Sequence, residues 1–179
     1  TSNFTPPTQP LTAISGTSLL IRGANAGVYD EMGKSNLELN GGMTTSATAT
    51  KYNSTSMYFD GTNDFVDAYS QDFKLSSIFT IEAWAYLDGT KIQNTLFNMA
   101  PPHSILLLSL NRTGNGATAV YVGNGSSWQG VPAINSGGNI PLSSDVWNHV
   151  ALTCDGTTLR LFHNGILVGS STTKPSGFQ

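Results

Sequence analysis

From residue 15 onward, short apolar runs alternate with clusters of glycine, asparagine, aspartate, serine and threonine, and no window of helical length keeps an apolar period of 3.6 residues. The clearest run is residues 79–86, FTIEAWAY. Alternation places Phe79, Ile81, Ala83 and Ala85 on one face and Thr80, Glu82, Trp84 and Tyr86 on the other, which predicts a strand with one core face and one amphipathic face. Downstream, residues 150–154, 159–163 and 166–170 are apolar-rich runs joined by Asp155-Gly156 and Asn164-Gly165. Asp-Gly and Asn-Gly favour positive φ at both turn positions, so the three runs predict an antiparallel meander. Weaker strand signals occur at 19–21, 37–39, 56–59, 65–68, 96–99, 105–110 and 117–122, and the Thr/Ser/Ala-rich stretch 44–55 reads as an edge strand or surface loop. About ten short strands at this spacing predict an all-β fold, a two-sheet antiparallel β-sandwich.

Composition agrees. Threonine, serine, asparagine and glycine make up 75 of 179 residues, the make-up of short strands and many turns, while charged residues are only 11%. A net charge of −3 gives no footprint for phosphate backbones, which argues against nucleic acid as partner. The longest purely aliphatic run, 105–108, is far short of the roughly 20 residues that span a bilayer, so no membrane insertion is expected. The lone Cys154 excludes an intrachain disulfide and lies in phase with Val150 and Leu152, as a buried thiol would. Pro6, Pro7 and Pro10 remove backbone donors from a stretch whose one aromatic is Phe4, so residues 1–14 read as an extended arm or linker and 15–179 as the sandwich.

Three blocks, YFDGTNDFV (58–66), FTIEAWAYLDG (79–89) and WNHVALTCDGTTLRLFHNGILVG (147–169), resemble, in order and spacing, laminin-G-like jelly rolls of the concanavalin-A-like superfamily. The lead-in PPTQPLTAISGTSLL (6–20) resembles segments that accompany such domains in marine phage virion proteins. The resemblance implies a jelly-roll sandwich with calcium as the recurring ion. It also implies a closing strand after Gly169, for which 170–179 holds no matching text, leaving a sheet edge that an arm from this or a neighbouring subunit would cover. A homo-oligomer is expected on that ground.

Glycosidases need two carboxyl groups roughly 5–10 Å apart, and on this fold they draw them from alternate positions of one strand. Here Glu82 has only Thr80 and Trp84 as same-face neighbours, and the chain holds just three glutamates, so no catalytic residue is assigned. His149 and His163 fall on adjacent predicted strands and read as packed side chains. Asp60, Asn63 and Asp64 in the DGTND turn are oxygen-rich and serve as candidate calcium ligands, with Gln93 and Asn94 as additions; ordinary turn formation explains the same residues. Sugars stack on aromatic faces and bond to fixed amide or carboxylate groups. Trp128 in the loop GNGSSWQG, with Asn124 and Gln129 beside it, and Trp84 and Tyr86 with Glu82 are the candidate ligand-binding residues, whereas Trp147 reads as structural. Four N-x-Ser/Thr sequons, at Asn3, Asn53, Asn111 and Asn124, are near chance in so Ser/Thr-rich a chain and carry no glycosylation assignment. The resulting expectation is a non-enzymatic recognition or structural module of a phage virion, at the virion surface, contacting host-surface glycans or other virion proteins. The alternative is a secreted or cell-surface bacterial adhesin or a carbohydrate-binding module of an enzyme, and the third class is a glycoside hydrolase.

Overall fold

The computed structural model describes residues 2–25, 27–69, 75–88, 94–99, 106–110, 118–123, 127–130, 134 and 142–172. The chain divides into two compact units, Pro7–Lys74 and Thr1–Pro6 with Leu75–Gln179.

Within Pro7–Lys74, three antiparallel pairs form: β1 (Ile21–Ala24) with β2 (Gly27–Asp30), β3 (Asn36–Asn40) with β6 (Phe65–Tyr69), and β4 (Thr44–Ser46) with β5 (Ser56–Tyr58). β2 carries only Val28 and Tyr29 as large apolar groups, too few to register as a periodic run, and its strand identity comes from pairing with β1. Only the first residues of the 44–55 stretch are strand; bends follow. Asp30 organises the turn after β2. Its Oδ1 accepts the backbone N–H of Leu20 and Met32 at 3.1 and 3.0 Å, and its Oδ2 those of Lys34 and Ser35 at 3.0 Å each. Partial burial acts to raise its pKa, but the four amide donors together outweigh it and hold the carboxyl below the ordinary value of 3.8. A carboxylate with a depressed folded-state pKa stabilises the fold above its unfolded value and loses that contribution as pH falls through the folded one. Asp30→Ala is therefore expected to destabilise this unit by about 1–3 kcal/mol in urea melts at pH 7, and by less near pH 3, because it leaves amide donors unmet.

The other unit holds two four-stranded antiparallel sheets. One runs β14 (Ile166–Ser171), β13 (Leu159–His163), β12 (Trp147–Asp155), β7 (Ile78–Tyr86); the other runs β11 (Trp128–Gly130), β10 (Ala119–Gly123), β9 (Leu106–Leu110), β8 (Asn94–Asn98). Val150, Leu152 and Cys154 of β12 and Leu159 and Leu161 of β13 pack with Val120 and Val122 of β10, Ile134 and Leu142, and Phe79, Ile81 and Ala85 of β7 join them. The alternation seen along 79–86 is thus the real division of faces, and Cys154 is a buried thiol.

The two turns of the meander differ. Asn164 and Gly165 both take positive φ, 48° and 79°, as a two-residue hairpin requires. At the Asp-Gly sequence only Gly156 does so, and Thr157 and Thr158 lengthen the loop. Asp155 stays in β12 opposite Ile78 and turns its Oδ1 onto the N–H groups of Thr157 and Thr158 at 3.0 and 2.9 Å, while Arg160 Nη1 donates to its Oδ2 at 2.7 Å. Aspartate at that position can bond to the backbone two residues on, and this side-chain chemistry overrides the short-turn expectation. The two histidines, on adjacent strands, face opposite sides of the sheet. His163 lies opposite Val150 and so faces the core, whereas His149, one residue along β12, faces the other way.

Candidate functional site

The face of the β14–β13–β12–β7 sheet opposite the core is built from cross-strand rows. Tyr86 lies opposite Trp147, Trp84 opposite His149, and Glu82 opposite Ala151, which on its other side faces Phe162. Directly paired side chains on one face stand close enough to touch. Tyr86 and Trp147 meet edge to face with ring centroids 5.7 Å apart, and Trp84 and His149 at 5.1 Å. His149 Nε2 lies 3.2 Å from Glu82 Oε2, without a hydrogen bond between them. His149 is fully buried, whereas the Glu82 side chain is 33% exposed and Tyr86 41%.

The strand path that puts His149 there is fixed at both of its backbone groups. Asn164, held at positive φ by the tight turn, accepts the His149 N–H on its Oδ1 at 2.8 Å and donates its own N–H to the His149 carbonyl at 2.8 Å. Immediately before it, buried Asn148 fixes the turn into β12: its Nδ2 donates to the carbonyls of Ser143 and Val146 at 2.7 and 2.9 Å, and its Oδ1 accepts the Ser143 N–H at 3.1 Å.

The first residues of the chain complete this face. Phe4 N–H donates to the Gly165 carbonyl at 2.8 Å, and Asn3 Oδ1 accepts the Leu167 N–H at 3.0 Å. The Phe4 ring then meets Phe162 at 5.2 Å and His149 at 5.8 Å, both edge to face. One sheet face therefore presents an aromatic cap over its β12–β13 part and a partly exposed carboxylate and tyrosine along β7. An acceptor carboxylate beside exposed aromatic edges suits a ligand with hydroxyl donors and C–H faces. Glu82, Trp84 and Tyr86 are brought together as their alternation on one strand requires. Phe4, His149 and Phe162 escaped the sequence reading as site residues; the signal for Phe4 was its isolation in a proline-rich stretch.

The remaining candidates fall elsewhere. Trp128 and Gln129 do not occupy a loop: they form the short strand β11, opposite Gly123 and Val122 at the edge of the second sheet. Backbone pairing with β10 overrides the turn-like composition around them. Their side chains, and Asn124, lie outside the described residues. Asp60, Asn63 and Asp64 are close in the chain, and the two aspartates bond to the backbone. Asp64 accepts Gly42 N–H at 2.5 Å on Oδ1 and Asp60 N–H at 2.7 Å on Oδ2, and Asp60 Oδ1 accepts Thr62 N–H at 2.7 Å. Gly41, at φ +72°, leaves no room for a Cβ beside Asp64 and the Asn63 carbonyl. Both Asp64 oxygens and Asp60 Oδ1 thus serve the loop as turn formers do, and among the described residues no three His, Cys, Asp or Glu side chains gather. Gln93 and His103 lie outside the described residues, and Asn94 opens β8.

The model of the Laminin_G_3 family, described as the Concanavalin A-like lectin/glucanases superfamily, matches residues 60–179. The chain belongs to this family. The Laminin_G_3 match contains both four-stranded sheets and every residue of the aromatic face except the arm's Asn3 and Phe4. No curated protein matches the chain. Among solved structures, it is similar to residues 221–444 of an S-layer domain-containing protein from Clostridium thermocellum, at 21% identity over 93% of this chain and 71% of that one, with a TM-score of 0.45. A likeness that loose carries nothing about function. No helix among the described residues is long and apolar enough to cross a membrane.

Proposed function

We propose that this chain is a non-enzymatic carbohydrate-recognition module, and that the face bearing Glu82, Trp84, Tyr86 and Trp147 holds the glycan. The observation that carries the reading is the placement of a one-third-exposed carboxylate, beside buried His149, on the same strand face as a 41%-exposed tyrosine set against the Trp147 ring. Such a surface is largely preformed, so little ordering cost opposes binding. The spacing of carboxylates supports recognition over hydrolysis. Within β7, β12, β13 and β14, the other carboxylate that alternation directs to this face is Asp155, four residues along β12 from the partner of Glu82. That separation is about 13 Å at the rise of a strand, beyond the roughly 5–10 Å of a glycosidase pair. Asp155 is also bound to Arg160, whose guanidinium, with the Thr157 and Thr158 donors, holds its carboxyl far below the usual range. It is an ion-paired turn residue and no acid catalyst.

The setting we propose is a virion surface, with the module in an oligomeric fibre, appendage or decoration that meets host-surface glycans. The lead-in at 6–20 is what supports it. Glycan-array screening followed by calorimetric titration of the best ligand tests the site. Tyr86→Ala is expected to weaken binding at least tenfold, about 1.4 kcal/mol, and Glu82→Gln to weaken it by a similar factor. Turnover of β-glucans, galactans or sialosides that Glu82→Gln abolishes would overturn the non-enzymatic reading.

A further inference from the structure

The β1–β2 hairpin has two unlike faces. Gly23 is packed so tightly under Met57 of β5 that an added Cβ would lie 2.8 Å from the methionine Cγ, so that face is covered. Alternation directs Arg22 and Ala24 of β1, and Tyr29 opposite Arg22, to the other face, with Glu31 just beyond. Together with Pro10 and Asn53 these residues line an open depression of about 320 Å³. That is the low end of small-ligand sites, roughly 300–1,000 Å³, and suits one sugar ring better than a chain.

Its chemistry is specific. Ala24 keeps the floor small, and Tyr29, 44% exposed, supplies an aromatic wall. Arg22 is held from two sides, Nε donating to Glu31 Oε2 and Nη2 to the Leu11 carbonyl, which leaves its side chain only 16% exposed and already ordered. Arg22 Nη1, Glu31 Oε1, the Tyr29 hydroxyl and the Asn53 amide make no hydrogen bond among the described residues. The lining thus offers donors, an acceptor and groups that do both, while the paired charges of Arg22 and Glu31 cancel. A phosphate or carboxylate ligand would meet Glu31; a neutral polyol would meet matched partners.

We propose that this depression is a second ligand site, in Pro7–Lys74 and independent of the Glu82 face, and that it binds a single neutral pyranose through vicinal hydroxyls. Arg22 and Glu31 bracket two adjacent hydroxyls, and Tyr29 stacks on the C–H face. A weak, millimolar affinity follows from the openness of the site and the few groups involved.

The test is a ¹H–¹⁵N titration of the full chain with neutral methyl pyranosides, compared with methyl glucuronide. Saturable shifts at Arg22, Tyr29, Glu31 and Asn53 are expected with a neutral sugar, and weaker ones with the uronide. Tyr29→Ala, at an exposed position, should weaken this binding roughly tenfold, or about 1.4 kcal/mol, and Tyr86→Ala should leave it unchanged. Arg22→Lys keeps the charge but loses the fork, and should weaken binding while the spectrum stays folded. Absence of shifts at these residues, tighter binding of the uronide, or an affinity untouched by Tyr29→Ala overturns the proposal. Glycan binding left unchanged by Tyr86→Ala while these shifts persist would fault the Glu82 face and support this site as the independent one.

Discussion

Gly165→Ala should release the N-terminal arm and destabilise the unit that carries it by on the order of 2–4 kcal/mol. Two costs combine. Gly165 has φ 79°, and an L-residue held there pays roughly 1–2 kcal/mol in steric strain. A Cβ at this position would also lie inside the van der Waals envelope of the Phe4 carbonyl oxygen and against Pro6 Cδ. Backbone cannot give way there without moving, so the arm must leave. Its departure loses the Phe4 to Gly165 hydrogen bond and the ring contacts of Phe4 with Phe162 and His149. Hydrogen exchange at the Phe4 amide and a denaturant melt read the two effects separately. In a chain lacking residues 1–6, the same substitution should cost only the φ strain, and the difference between the backgrounds measures the arm's contribution. Persistent protection of the Phe4 amide in Gly165→Ala would refute the clamp.

The arm also marks where sequence reasoning stops. Local signals located the meander well. Alternation along 79–86, Asn-Gly between 163 and 166, and the in-phase Cys154 each depend on near neighbours in the chain, and each is found in the sheet as expected. Glu82, Trp84 and Tyr86 were legible as one face for the same reason. What was not legible depends on partners distant in sequence. Residue 4 meets residues 149, 162 and 165, and no periodicity encodes a contact across more than 140 positions. His149 and His163 differ by which side of a pleat they occupy, which the pairing register decides and a list of histidines does not. Trp128 read as loop because Gly, Ser and Asn surround it, yet backbone bonds to β10 make it strand. The DGTND carboxylates read equally as turn formers and as cation ligands because oxygen-rich turns and ion sites share a composition, and the backbone amides they accept depend on the loop geometry.

Leu152→Ala is expected to produce the largest loss of stability from one side chain, about 2–5 kcal/mol as a cavity-forming truncation. Leu152 is fully buried and stands between Ile81 of β7 and Leu161 of β13, at the centre of its sheet. Its neighbours are strand residues whose backbones are fixed by ladder bonds on both sides, so the space left behind cannot collapse easily, and the cost belongs in the upper part of the range. The adjacent Thr153 points to the opposite face and is partly exposed; Thr153→Ala should shift the midpoint by no more than about 0.5 kcal/mol, as surface substitutions do. Paired guanidinium melts followed by tryptophan fluorescence make the comparison, since Trp84 and Trp147 lie in the same sheet. Leu152→Met, which nearly conserves volume, should recover most of the lost stability. Equal midpoints for Leu152→Ala and Thr153→Ala would mean that the faces of β12 are assigned the wrong way round, and with them the placement of Glu82, Trp84 and Tyr86 on a surface that a ligand can reach.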